Sequence, residues 1–150
     1  MKKYLIFSVT VLSLELDIST CISCRTAFRD EPVQKILKSD SLSRFYCPPN
    51  CANPLVVEGT TYYSYRSTAC GAAVHAGAIE QNIGGFFDVL KVEDFFGSNK
   101  ELNGSAQNGI ISKSIEEKGL IPIPRNDYQY DMVYQISPPT VLYSKVFEKF

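Results

Sequence analysis

The chain is 150 residues long and carries 15 Lys and Arg against 16 Asp and Glu, a formal net charge of -1. That length fits one domain, and the missing basic excess excludes a nucleic-acid binder held by phosphate neutralisation. The hydrophobic fraction of 45% is globular, with 9 Phe and 9 Tyr supplying bulk in the absence of Trp.

The N-terminus reads as an export signal over residues 1–20. Lys2 and Lys3 precede an apolar run from Tyr4 to Leu14, and Glu15 and Asp17 follow it. The run falls short of the about 20 residues that span a bilayer and has the length and flanks of a secretory signal peptide. Thr20 before Cys21, with the acidic pair upstream, argues against a lipoprotein. No second apolar run of membrane length follows. The expected mature chain, 21–150, is therefore a single secreted domain without a membrane span, and losing Lys2, Lys3, Glu15 and Asp17 leaves its charge unchanged.

Asp30 and Pro32 open a helix candidate with Val33, Ile36 and Leu37 on one face, and Ser39 to Ser43 break it. Leu55 to Gly59 and Thr61 to Tyr65 read as short strands. Ser67 or Thr68 caps a second helix, Ala69 to Ile79, whose small apolar residues on nearly all sides predict burial. Gly84-Gly85 is a turn and Phe86 to Val92 a strand. Asn103-Gly104 and Asn108-Gly109 are turn signals, followed by a strand from Ile110 to Ile115. Residues 119–131, rich in Pro and charge, read as a surface loop. Val133 to Ile136 and Val141 to Phe147 read as two last strands around Pro138-Pro139. The expected class is α+β, with short antiparallel strands around one central buried helix.

The cysteines are Cys21, Cys24, Cys47, Cys51 and Cys70. Pro48-Pro49 favours polyproline geometry at about 3.1 Å per residue, which holds Cys47 and Cys51 roughly 10 Å apart. A disulfide needs Cα atoms within about 4.4–6.8 Å. Unless Asn50 turns the chain back, those two take separate partners from Cys70 and one of Cys21 or Cys24, and one cysteine is left over. A zinc site using the cysteines and His75 is disfavoured by the prolines and by export. A thiol-hydrolase triad of a cysteine, His75 and Asn108 is disfavoured because His75 lies in an Ala-rich helix and oxidised cysteines cannot attack. The chain is read as non-enzymatic, with no metal and no cofactor.

Phe45-Tyr46-Cys47-Pro48-Pro49-Asn50-Cys51, Val57-Glu58-Gly59-Thr60, the run from Ser67 to Ile79 with Ala72, Ala73, His75 and Gly77, Gly84-Gly85, and Asn108-Gly109-Ile110-Ile111-Ser112 together resemble the LCCL domain, a module found in cochlin and in secreted proteins of apicomplexan parasites. The resemblance implies strands wrapped around a central helix. It implies cysteines paired first to second and third to fourth, here Cys24 with Cys47 and Cys51 with Cys70. Cys21 has no place in that pattern and is expected as a free thiol or an intermolecular disulfide.

The resemblance further implies extracellular recognition: a non-enzymatic adhesion or binding module for a lipopolysaccharide, lipid or polysaccharide, or alternatively a structural docking subunit of an extracellular complex. Its partners are thus an extracellular glycan, lipid or protein. Tyr62, Tyr63, Tyr65, Arg66, Phe95 and Phe96 are the candidate ligand contacts. Asn103-Gly104-Ser105 is a glycosylation sequon at Asn103. His75, inside the helix, is expected to pack with its ring nitrogens bonded rather than to act as a base.

Overall fold

The structure, a computed structural model, describes residues 21–38, 41–51, 56–115, 121–123 and 127–139. The expected signal peptide and the expected strand from Val141 to Phe147 lie outside these residues. In chain order the elements are α1 (Glu31–Gln34), β1 (Leu42–Cys47), β2 (Val57–Glu58), β3 (Tyr62–Tyr63), α2 (Ala69–His75), β4 (Gly85–Ser98), α3 (Asn99–Leu102), β5 (Ala106–Gln107), β6 (Ile110–Lys113), β7 (Ile121–Ile123) and β8 (Asp127–Ser137).

The larger sheet runs β1-β4-β8-β3, and β7 shares the edge of β8 that β3 occupies at its other end. All its pairs are antiparallel. The smaller sheet runs β2-β6-β5; β2 lies parallel to β6, pairing Val57 with Ser112 and Glu58 with Lys113. The class is α+β, as expected, but the strands are neither all short nor all antiparallel.

Alternation explains β1. Ser43, Phe45 and Cys47 point inward, while Leu42, Arg44 and Tyr46 are more exposed. Phe45 lies opposite Phe87 of β4, their rings 6.0 Å apart, and Tyr46 meets Phe86 on the other face. Arg44 forms a bidentate pair with the buried Asp88 across the same two strands, Nε to Oδ1 at 2.9 Å and Nη2 to Oδ2 at 3.2 Å. A buried carboxylate needs such a partner.

All seven residues of α2 are buried, and the helix packs against β6 of one sheet and β8 of the other. It ends four residues earlier than Ile79. Gly77 takes φ +78°, its amide bonds the Val74 carbonyl at 3.0 Å, and the Ala78 amide bonds the Ala73 carbonyl at 2.9 Å. That is a Schellman stop, which a glycine just past the last helical residue favours.

Two expectations are corrected. The segment 119–131 is not a loop where it is described: Ile121 pairs with Gln129 and Ile123 with Asp127, placing β7 against β8. Pro122 is tolerated because an edge strand can forgo one ladder N–H. The strand beginning near Phe86 also runs on to Ser98, since β8 pairs with it as far as Ser98 opposite Asp127.

The disulfides are corrected too. Cys24 bonds Cys51 and Cys47 bonds Cys70, with Cα separations of 4.8 and 5.8 Å. The bridges interleave instead of following chain order. Cys47 is in phase with Phe45 and faces the core, where the first turn of α2 presents Cys70. Asn50, at φ +59°, redirects the chain after the two prolines, and Cys51 then meets Cys24. Cys21 is unbonded and exposed.

Candidate functional site

His75 is fully buried at the end of α2. Its Nδ1 lies 2.8 Å from the Tyr63 hydroxyl and its Nε2 lies 3.1 Å from the Ser105 carbonyl. A carbonyl can only accept, so the proton sits on Nε2 and Nδ1 accepts from Tyr63. Both ring nitrogens are engaged, and neither is open to a substrate. Asn108 donates to the His75 backbone carbonyl at 3.0 Å, not to the ring. Burial drives the Tyr63 hydroxyl pKa well above its ordinary value, which suits a phenol kept as a neutral donor. The four cysteines that a zinc site or a thiolate would draw on are bridged.

The structure buries two of the six candidate ligand contacts, and for these the expectation is corrected. Tyr63 is closed inside the core by its bond to His75, and Phe95 sits in a small apolar cluster. Both occupy the inward phase of their strands. Tyr62 is half-buried, its ring 4.1 Å from that of Phe95. Tyr65 is half-buried against the core, with the Arg66 guanidinium 5.8 Å from its ring centroid. Phe96, on the opposite face from Phe95, is 61% exposed.

Arg66 belongs to an open cleft of about 420 Å³, lined by Glu58, Arg66, Gly104, Ser112, Lys113 and Ser114. No apolar side chain lines it. The parallel pairing of β2 and β6 builds its floor, setting Glu58 beside Lys113. Glu58 accepts from the Ser64 hydroxyl at 2.7 Å, and the Ser112 hydroxyl is tied to the Gly59 carbonyl. Gly104 closes the other side: a Cβ there would meet the Ser112 carbonyl oxygen at 2.2 Å. The Ser105 carbonyl also accepts from the Ser112 amide at 2.8 Å, so His75 lies directly under this wall. Two cations and one carboxylate give the lining a net positive charge.

Sequence reasoning finds Arg66 and misses Glu58, Lys113, Ser112 and Ser114. Glu58 and Ser112 fall in stretches that carry the resemblance, but only the parallel pairing brings them together. A second cleft of about 420 Å³ lies past the end of α2, around Gly77, Gln81, Asn82 and Asn108, with Glu80 its single charged group.

The family model for the LCCL domain matches residues 22–120. Cysteine-rich secretory protein LCCL domain-containing 1 of Homo sapiens is 47% identical over 77 residues, covering 49% of this chain and 14% of its own length. Its Gallus gallus counterpart is 41% identical over 100 residues, covering 63% of this chain and 18% of its own length. Vitrin of Bos taurus is 41% identical over 70 residues, covering 46% of this chain and 10% of its own length. The chain thus spans less than a fifth of the length of these relatives. The residues that build the bridges, α2, the wall of the cleft and its strands all lie within the matched stretch, and the chain belongs to the LCCL domain family.

Proposed function

We propose that this chain is a secreted, non-enzymatic recognition module that binds the anionic sugar portion of a lipopolysaccharide or polysaccharide in the Arg66–Lys113 cleft. The relatives' printed name, cysteine-rich secretory protein, supports the extracellular setting. Two disulfides fit an oxidising compartment. Among the described residues no helix is long and apolar enough to cross a membrane.

The observation that carries the ligand class is the lining itself. It offers hydroxyls, a carboxylate and two cations, and nothing apolar to take an acyl chain. Phosphorylated or carboxylated sugars match such donors and charges. The test is binding of the secreted chain to immobilised lipopolysaccharide and to heparin, with dextran as the neutral control. Binding to the anionic surfaces is expected, weakened by salt and reduced about tenfold in Lys113→Ala, equivalent to roughly 1.4 kcal/mol. Equal binding to dextran, or an unchanged Lys113→Ala, overturns the reading.

One observation favours a docking subunit as the second reading. Cys21 is exposed, and its backbone sits against β1 at Tyr46, on the outer edge of the larger sheet. An exposed thiol in an oxidising compartment finds another thiol. Non-reducing gels of the secreted chain then show an adduct that Cys21→Ser abolishes; a clean monomer removes this reading.

A further inference from the structure

We propose that Asn103 carries an N-linked glycan that covers the mouth of the polar cleft, so that glycosylated and bare chains differ in access to Lys113. The effect on ligand binding rests on the reading of that cleft given above; the modification and the covering do not.

Asn103-Gly104-Ser105 meets the acceptor pattern, with a middle residue other than proline. Asn103 is exposed, while everything around it is held. The buried Leu102 accepts from the Ile115 amide at 2.9 Å, and the Thr60 hydroxyl bonds the Asn103 carbonyl. Gly104 presses so closely on β6 that a Cβ there would lie 2.6 Å from the Lys113 Cα. The Ser105 carbonyl takes both the Ser112 amide and the His75 ring. The rim is therefore a fixed platform, and the Asn103 side chain is its exposed group. Gly104, the next residue and about 3.8 Å along the chain, already lines the cleft with Ser112, Lys113 and Ser114. A bulky saccharide rooted there stands over the opening.

The donor is a lipid-linked oligosaccharide pyrophosphate of the secretory route. The Asn103 amide nitrogen forms a bond to the anomeric carbon and gives up one proton. The bond from that carbon to the pyrophosphate oxygen breaks, and the lipid pyrophosphate leaves with its electron pair; nothing is oxidised or reduced. In the folded chain the Ser105 hydroxyl sits 3.4 Å from both the Thr60 hydroxyl and the His75 Nε2. Transfer accordingly precedes folding of this loop.

The test uses the full chain secreted from a eukaryotic cell line. Peptide mapping before and after endoglycosidase treatment reads occupancy of Asn103. Acylation of Lys113 by an amine-reactive ester reads the covering without any ligand. Lys113 should react at least threefold more slowly in the glycosylated chain than in Asn103→Gln. Trimming the folded glycoprotein to its first sugar should recover most of the difference, which guards against a misfolded variant. Binding to heparin should follow the same order. Should no form bind heparin while occupancy and acylation behave as stated, the ligand reading fails and the glycan cover stands. An unmodified Asn103, or equal Lys113 acylation with and without the glycan, overturns the proposal.

Discussion

Two apolar clusters among the described residues are held in different ways. The larger one gathers Phe28, Phe45, Phe87 and Tyr134 around α2 and contains both disulfides. Its polar members are satisfied: Tyr63 and His75 bond each other, and the Tyr134 hydroxyl accepts from the Gln34 amide at 2.8 Å. Phe28 stacks on Tyr134 with ring centroids 4.6 Å apart. The smaller cluster, Phe95, Leu102, Ile115 and Val133 with Tyr62 and Val92 against it, has no bridge. It depends on the outer half of the β4–β8 ribbon and on α3. A covalently stapled centre is thus joined to an arm whose described residues carry no disulfide and are held by packing, ladder bonds and the loop bonds that α3 makes to Thr60 and Ile115, and the sheet passes continuously from one to the other through β4 and β8.

Removing the staple that the arm lacks has the largest expected effect. The bridged pairs are separated by 27 and 23 residues, and the chain-entropy model assigns such loops about 3.5 kcal/mol each. Cys47 and Cys70 are also fully buried. Replacing both by alanine adds a cavity in the core, so the total loss should approach 5 kcal/mol in denaturant unfolding. Cys24→Ala with Cys51→Ala should lose less, because Cys24 is only half-buried. Non-reducing peptide mapping of the unaltered chain checks the premise; a Cys24–Cys47 linkage would refute it.

How much of this was legible from residues alone depends on how far apart the partners lie. The run Ala69 to Val74 reads as a buried helix and is one; the reading extends it to Ile79, whereas Gly77 at positive φ stops it after His75. Asn108-Gly109 reads as a turn and is one, and the structure makes it the tip of a hairpin, with φ of +52° and +78° between β5 and β6. β1 carries no strand signal of its own in the sequence. The stretch from Ser39 to Ser43 reads as a break, yet β4 pairs with the chain from Leu42 onward and Asp88 answers Arg44. Pro122 masks β7, and Glu93 and Asp94 mask the outer half of β4; in both, pairing with β8 overrides local composition. The cleft shows the limit most clearly. Glu58 and Lys113 are neighbours only through a parallel pair, whose register no local pattern specifies.

The arm itself can be probed next. Phe95→Ala removes the largest side chain of the smaller cluster and should weaken it by about 3 kcal/mol. With no disulfide there, the loss should be local: amide exchange should accelerate along β7 and the outer half of β8, while α2 keeps its protection. Phe45→Ala, in the stapled cluster, should instead accelerate exchange in α2 and β1 together. Uniform acceleration in both variants would show that the two clusters open as one unit, and the contrast would not hold.

The smallest effect tests how the stapled centre keeps a polar pair inside it. Tyr63→Phe leaves the ring in place but deprives His75 Nδ1 of its donor. The loss is that of an unsatisfied buried acceptor, about 1–3 kcal/mol at neutral pH. Burial raises the Tyr63 pKa in the folded state above its unfolded value near 10. The folded chain therefore holds this proton more tightly than the unfolded chain does. Its contribution is complete below pH 10 and is lost as the pH rises beyond it, at up to about 1.4 kcal/mol per unit for this single group. Unfolding curves from pH 8 to 11 should converge for the two proteins, because the unaltered chain loses a term that Tyr63→Phe no longer has. Parallel curves across that range would mean that Tyr63 ionises in the folded chain as freely as in the unfolded one, and its hydroxyl would then not be sealed against His75.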